Sequence, residues 1–377
     1  MITPGINMEQ VKQSNRSSIL KFVNDVGESS RKDIAKAVQL TPAAVTQICN
    51  VLFDEGLLIE SGTIDNPTGS AGRKKILVKI NYDSRHPIAL SIEQNETTIA
   101  VTNMKGDIIC QEIIPTDSKE EPEEFLKEIA RIAKRLLQST GFSTDLVCVT
   151  LPGLVDRKNG ISILAYGIWN RKVNVKQILT EEMGVEVCLD NNVRAYSLAE
   201  MIFGVGKEHP NYLLLKWGPG VGSSIVINGK IYEGRHGKNP ELGHMIVTPK
   251  GKECSCGKKG CLETVISYNA LQNIMKFDQD NFASALKNAS DDIKAKFDEI
   301  FSIFAVSIIN CIATLAPNRV ILCGKLFKDE YIRNIISKKC LELDSSMNSE
   351  RILYTTISEK ASIIGPVAMY VQKKLFS

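Results

Sequence analysis

The feature that most limits how this chain can fold is a set of three thiols and an imidazole, His244 followed by Cys254, Cys256 and Cys261. The three cysteines fall within eight residues in Cys-Ser-Cys-Gly-Lys-Lys-Gly-Cys, and the intervening glycines let the backbone curl until the sulfurs share a centre. A Cys₃His set is a closed tetrahedral zinc site with no position left for water, so it ties a loop and does no hydrolysis. The alternative is a group of unligated surface thiols. The other cysteines, Cys49, Cys110, Cys148, Cys188, Cys311, Cys323 and Cys340, stand singly in apolar contexts and read as core residues. Ten cysteines behind an N-terminus with no apolar export segment indicate a reducing compartment, and a cytoplasmic protein is expected.

Upstream, the first eighty residues read as three short helices and a β-ribbon. Apolar residues recur at helical spacing around Ser17–Val23. Ser30 with Asp33 forms a capping pair for a second helix, and Thr41-Pro42 opens a third. That third helix turns Val45, Ile48 and Leu52 inward. Strands follow at 57–60 and 75–80, joined by a glycine-containing wing that ends in Arg73-Lys74-Lys75. This is a winged helix-turn-helix over residues 1–82. Its outward third-helix residues, Ala43, Ala44, Thr46, Gln47 and Asn50, are small or amide-bearing and suit a major groove. Arg73 and Lys74 are the expected phosphate or minor-groove contacts. With 46 Lys+Arg against 43 Asp+Glu, bulk charge contributes nothing to such binding, so the contact must be a focused patch. A winged helix that meets protein instead of DNA is the alternative.

From residue 87 the pattern becomes α/β. Strands are expected at 88–92, 98–102, 108–114, 146–151 and 185–189, with an amphipathic helix over 121–137. A second set begins at Tyr212–Trp217 and Ser224–Ile227, followed by Asn228-Gly229, a hairpin signal. The longest apolar run, Phe301–Ala316, is broken by Ser302, Ser307, Asn310 and Thr314 and reads as a buried helix with one polar stripe. No membrane association is expected.

Four motifs in fixed order then carry a resemblance. Leu151-Pro-Gly-Leu-Val-Asp156, Gly218-Pro-Gly-Val-Gly222, Glu241-Leu-Gly-His244 and the cysteine loop ending Cys261-Leu-Glu263 resemble the ROK family (repressor, open reading frame, kinase). The resemblance implies a two-lobed actin-like ATPase fold behind the winged helix. It places lobe 1 at 87–192 with 362–377, and lobe 2, with the zinc site and dimerisation helices, at 193–361. The winged helix points to the transcription-factor branch that includes xylose and N-acetylglucosamine repressors.

Within that resemblance the kinase machinery is spoiled. Glu93-Gln-Asn-Glu-Thr97 stands where kinases of the family carry a glycine-rich phosphate loop, and Glu96 is expected to repel a triphosphate. Counting back from Glu200, Asn191-Asn192 replaces the Asn-Asp pair, so the general base is an amide. No enzyme activity is expected; a residual ATP-dependent sugar kinase is the alternative. The sugar contacts carry over better. Asn191, Glu241, His244 and Glu263 match positions that hold the sugar ring, with His244 shared between zinc and ligand. No arginine stands at those matched positions, so a neutral sugar is expected as effector. Tyr166 and Pro240 depart from the pattern and are expected to narrow the pocket, and a vestigial site that only braces the zinc loop is the alternative. The implied protein is a sugar-responsive regulator, a repressor of a carbohydrate-use operon, binding double-stranded operator DNA as a homodimer or dimer of dimers.

Overall fold

The computed structural model describes residues 7–64, 75–234, 239–278, 280–347 and 349–377; Arg73 and Lys74 lie outside them. The N-terminal unit comprises α1 (Met8–Val26), β1 (Glu28–Ser30), α2 (Arg31–Ala37), α3 (Pro42–Asp54), β2 (Leu58–Ile64) and β3 (Lys75–Ile80). Its antiparallel sheet runs β1-β3-β2, the winged-helix arrangement. Ser30 caps α2 through the Asp33 amide, and Thr41 caps α3 ahead of Pro42. Helix α1 starts well before the predicted Ser17, because Asn7 and Gln10 close a reciprocal capping box. The turns this adds are mostly polar and solvent-facing, so no apolar period reveals them. On α3, Val45, Cys49 and Leu52 are fully buried, whereas Ile48 is only half-buried.

Lobe 1 follows, with β4 (Ile88–Ile92), β5 (Glu96–Thr102), β6 (Ile108–Pro115), α4 (Pro122–Thr140) and β7 (Leu146–Leu151). Then come the hairpin β8 (Leu154–Asp156) and β9 (Ile161–Leu164), α5 (Val175–Met183), β10 (Glu186–Asn191) and α6 (Asn192–Ile202). The sheet order is β10-β7-β4-β5-β6: a meander of three antiparallel strands, extended by two parallel ones.

Lobe 2 repeats that plan. Strands β11 (Tyr212–Trp217), β12 (Val221–Ile227) and β13 (Lys230–Ile231) form the meander. Asn228 and Gly229 take φ of 52° and 68°, the left-handed geometry of a tight hairpin turn. Helices α7 (Glu263–Ile266), α8 (Tyr268–Gln272), α9 (Phe282–Lys287) and α10 (Asp291–Leu315) precede β14 (Arg319–Cys323). Then α11 (Glu330–Leu343) and β15 (Ile352–Tyr354) complete the order β13-β12-β11-β14-β15. The chain is thus a winged helix on a two-lobed, actin-like α/β body. Finally α12 (Ile364–Lys374) returns to lie on β4, β7 and α6.

Among the described residues α10 alone is long and apolar enough to cross a membrane. It instead seats Phe297, Phe301, Phe304 and Ile308 in the lobe 2 core, where Trp217 packs edge-on against Phe301. The predicted polar stripe needs one correction. Ser307 lies on the buried face, its hydroxyl donating to the Ile303 carbonyl, while Asn310 and Thr314 are exposed.

The N-terminal unit is docked on the body. Ser17 donates to the Phe376 carbonyl (2.8 Å), and Asn24 Nδ2 donates to the Ile202 carbonyl at the end of α6 (3.0 Å). Tyr82 bonds Asn24 Oδ1 (2.8 Å) and Lys207 bonds the Asn24 carbonyl (3.1 Å). Buried residues of the two units form one continuous apolar cluster.

Candidate ligand cleft and metal centre

A cavity of about 410 Å³ opens between the lobes, within the size range of small-molecule sites. The loop after β7, the β10–α6 junction, the β11–β12 turn and the segments around Glu241 and Glu263 supply its walls. Asn191, Glu241, His244 and Glu263 all line it, as do Tyr166 and Pro240.

Much of the polar capacity of this wall is already engaged. Asn191 caps α6, its Oδ1 accepting from the amides of Val193 (3.0 Å) and Arg194 (3.1 Å), while Nδ2 donates to the Gly153 carbonyl (2.9 Å). Glu263 Oε2 accepts from the Val221 amide (2.9 Å), leaving Oε1 for a ligand. A Cβ on Gly220 would come within 2.7 Å of that carboxylate, so glycine here permits the Glu263 bond. The Gly218–Gly222 run is otherwise the hairpin turn between β11 and β12. Glu241 is exposed and accepts from the Tyr166 hydroxyl (3.1 Å), while the Tyr166 ring meets His244 edge-on at 5.9 Å between centroids. Burial and the Glu241 carboxylate push the Tyr166 hydroxyl well above its ordinary pKa, so it stays a donor. Tyr166 therefore occupies part of the cleft.

Two arginines also reach the wall, a point sequence matching missed. Arg194 pairs with Asp190 (3.1 Å) and with Glu233 (3.0 Å), and Arg157 with Glu233. Their charge is thus largely balanced within the wall. Asp190, buried at 7% exposure, is pushed up to about 6 by that burial, against the pull of Arg194 and Arg157.

At the phosphate end, the obstruction differs from the one expected. Glu96 is exposed at the start of β5 and does not line the cleft; the Glu93–Glu96 turn is a tight hairpin that carries it away. Glu93 takes its place. Its carboxylate accepts from Asn192 Nδ2 (3.0 Å to each oxygen) and from Lys216 Nζ of lobe 2 (3.0 Å). Lys216 was legible only as a single charge in the apolar strand Tyr-Leu-Leu-Leu-Lys-Trp.

Beside the cleft, His244 Nδ1 and the sulfurs of Cys254, Cys256 and Cys261 lie within 4.8 Å of one another. Cys254 Sγ is 3.4 Å from His244 Nδ1, and Cys256 Sγ is 3.6 Å from Cys261 Sγ. Donors of a tetrahedron with bonds of about 2.0–2.3 Å are roughly 3.3–3.8 Å apart, so these two separations match its edges and the four donors are gathered closely enough to close on one metal. Backbone geometry holds the loop: Cys254 N bonds the Lys258 carbonyl (2.8 Å), and Gly260 adopts φ 72° with no room for a Cβ against Thr248.

On the winged helix, Ala43, Gln47 and Asn50 are exposed and Ala44 and Thr46 half-buried, all on α3. Thr46 donates to the Pro42 carbonyl (2.8 Å), which leaves its oxygen as an acceptor.

The ROK family model matches residues 88–373. A xylose repressor of Caldicellulosiruptor bescii is 23% identical, covering 98% of both chains. The DNA-binding transcriptional dual regulator NagC of Escherichia coli is 28% identical over 71% of this chain and 65% of its own length. Among solved structures, a transcriptional regulator described as a homolog of the E. coli Mlc protein superposes with a TM-score of 0.79 at 22% identity, covering 97% of both chains.

Proposed function

The chain belongs to the ROK family, and we propose that it is a sugar-responsive transcriptional repressor of a carbohydrate-use operon, not a kinase. The carrying observation is the fate of the catalytic position. Asn192, where the family's kinases place an acid, is an amide that donates both contacts to Glu93, and Lys216 completes a neutralised cluster. An amide takes no proton at neutral pH, and a positioned base typically contributes ~10²–10⁴ in rate. The winged helix, absent from a simple kinase, supplies the output.

In this reading α3 enters the major groove of operator DNA through Ala43, Ala44, Thr46, Gln47 and Asn50, with Arg73 and Lys74 on the backbone or minor groove. The effector is a neutral sugar in the cleft. Glu263 Oε1 and the exposed Glu241 accept its hydroxyls, and Asn191 has one amide hydrogen left to donate. Zinc holds the Cys₃His loop; bound there, it fixes His244 through Nδ1 and leaves Nε2 as the nitrogen available to the ligand. Residues 87–192 with 362–377 and residues 193–361 act as two lobes whose relative angle the ligand sets, within a cytoplasmic homodimer or dimer of dimers.

The test is direct. Purified full-length protein is screened with neutral pentoses, hexoses, amino sugars and their phosphates, reading unfolding temperature, operator release and ADP formation. One neutral sugar that stabilises the protein and releases operator without turnover is the expected result. Robust sugar-dependent ADP formation would overturn the reading.

A further inference from the structure

Away from the cleft, two thiols face one another in the lobe 1 sheet. Cys148 of β7 and Cys188 of β10 are register partners on adjacent parallel strands, with sulfurs 3.1 Å apart. Neither belongs to the Cys₃His set. Directly paired residues on neighbouring strands are about 4.8 Å apart, inside the roughly 4.4–6.8 Å between Cα atoms that a disulfide spans. The flanking residues Val147, Val149, Val187 and Leu189 turn to the opposite face, where they pack with α4 and α5. Both thiols therefore project on the α12 side of the sheet.

Their environments differ in a way that divides the chemistry. Cys148 is fully buried, and burial pushes its thiol well above the ordinary value, so it is not the group that meets an oxidant first. Cys188 is half-buried on the wall of a second cavity of about 520 Å³, which Met369, Gln372 and Lys373 of α12 also line. Lys373 on that wall lies beside the route by which a small oxidant reaches Cys188.

We propose that Cys148 and Cys188 form an oxidisable pair: a hydroperoxide entering the α12 cavity oxidises Cys188, and Cys148 then closes a disulfide. In the first step the Cys188 thiolate attacks a peroxide oxygen; the O–O bond breaks, giving a sulfenic acid and hydroxide, or alkoxide from an organic peroxide. In the second the Cys148 sulfur attacks the Cys188 sulfur; the S–O bond breaks, the thiol proton leaves with the hydroxyl as water, and the S–S bond forms. Disulfides in reducing compartments are commonly transient and redox-sensing, which suits one half-buried and one fully shielded partner. The new bond joins the two strands whose ends present Gly153 and Asn191 to the cleft.

The experiment uses the reduced, zinc-loaded full chain exposed to hydrogen peroxide, followed by alkylation and non-reducing tryptic mapping. Cys148 and Cys188 fall in separate peptides, Leu136–Arg157 and Gln177–Arg194, each with a single cysteine. The expected product is this linked pair, two hydrogens lighter than the sum of its reduced peptides. Cys148→Ser should lose the link and leave a dimedone-reactive sulfenic acid at Cys188, whereas Cys188→Ser should leave Cys148 unoxidised. Peroxide that oxidises the cysteines of the His244 loop, read in other peptides, yet leaves Cys148 and Cys188 unlinked would overturn the proposal. A sulfenic acid at Cys188 in the parent that never resolves would overturn it as well.

Discussion

Cys256→Ser tests the metal centre with the least collateral damage. Of the four donors only Cys256 is half-buried; His244, Cys254 and Cys261 are buried, so serine at 256 opens little space in the core. What it removes is one corner of a tetrahedron, and three donors hold zinc far more weakly than four. The stabilisation at stake follows from mass action: zinc at a thousand times its dissociation constant contributes about 4 kcal/mol, which for a unit the size of lobe 2 unfolding by itself is worth ~8–16 °C in unfolding temperature. Elemental analysis of the parent should give about one zinc per chain, and a strong chelator should lower its unfolding temperature by on the order of 10 °C. The variant should start near that lower value, carry little zinc and no longer respond to chelator. His244 would then lose its fixed orientation, so ligand response should weaken along with stability. A parent that is folded, metal-free and indifferent to chelator would refute the reasoning, as would a Cys256→Ser protein with full zinc and parental stability.

Four further outcomes are expected. Glu263→Gln keeps a carbonyl for the Val221 amide but removes the charged acceptor facing the cleft, so sugar-driven operator release should need roughly ten to a hundred times more ligand, for a loss of ~1–3 kcal/mol; an unchanged titration would count against the site. Asn192→Asp should yield no kinase activity, because it sets a second carboxylate against Glu93 while Lys216 still occupies that corner; sugar-dependent ADP formation is the contrary result. Gln47→Ala should relax base preference at one operator position by roughly 1–3 kcal/mol, whereas Arg73→Ala should weaken all sequences alike and flatten the salt dependence; parental binding by both would refute the groove assignment. Phe304→Ala, in the fully buried aromatic cluster around Trp217, should cost ~3–5 kcal/mol in denaturant unfolding, and a change below 1 kcal/mol would contradict the packing described.

Local chemistry was the most legible part of this chain. The winged helix was visible because Ser30, Thr41 and Pro42 act on residues three or fewer positions away, and the metal loop because three donors are near neighbours in sequence. The cleft residues were found through ordered motifs, and they do line one cavity. Lys216, Asp190 and the two arginines were not found, because their partners lie in other elements; Glu93 and Lys216 are 123 positions apart. Glu96 was misjudged for a related reason: a one-residue shift within a hairpin decides which carboxylate faces the cleft, and sequence alone does not fix it. The duplicated sheet plan also left no trace, since topology repeats without any repetition of side chains.

Helix α6 is held at both ends by different parts of the molecule. Asn191 anchors its first turn to the Gly153 loop at the cleft, and the carbonyl of Ile202 in its last turn receives a hydrogen bond from Asn24 of the N-terminal winged-helix unit. With a rise of 1.5 Å per residue, its 11 residues make a rod of about 16 Å. Tilting such a rod by about 5° about its cleft end sweeps the far end by roughly 1.4 Å, more than a hydrogen bond tolerates without shifting its partner. A ligand that tilted α6 at its cleft end would therefore load α1 directly, through contacts that bypass the covalent linker at residues 81–86.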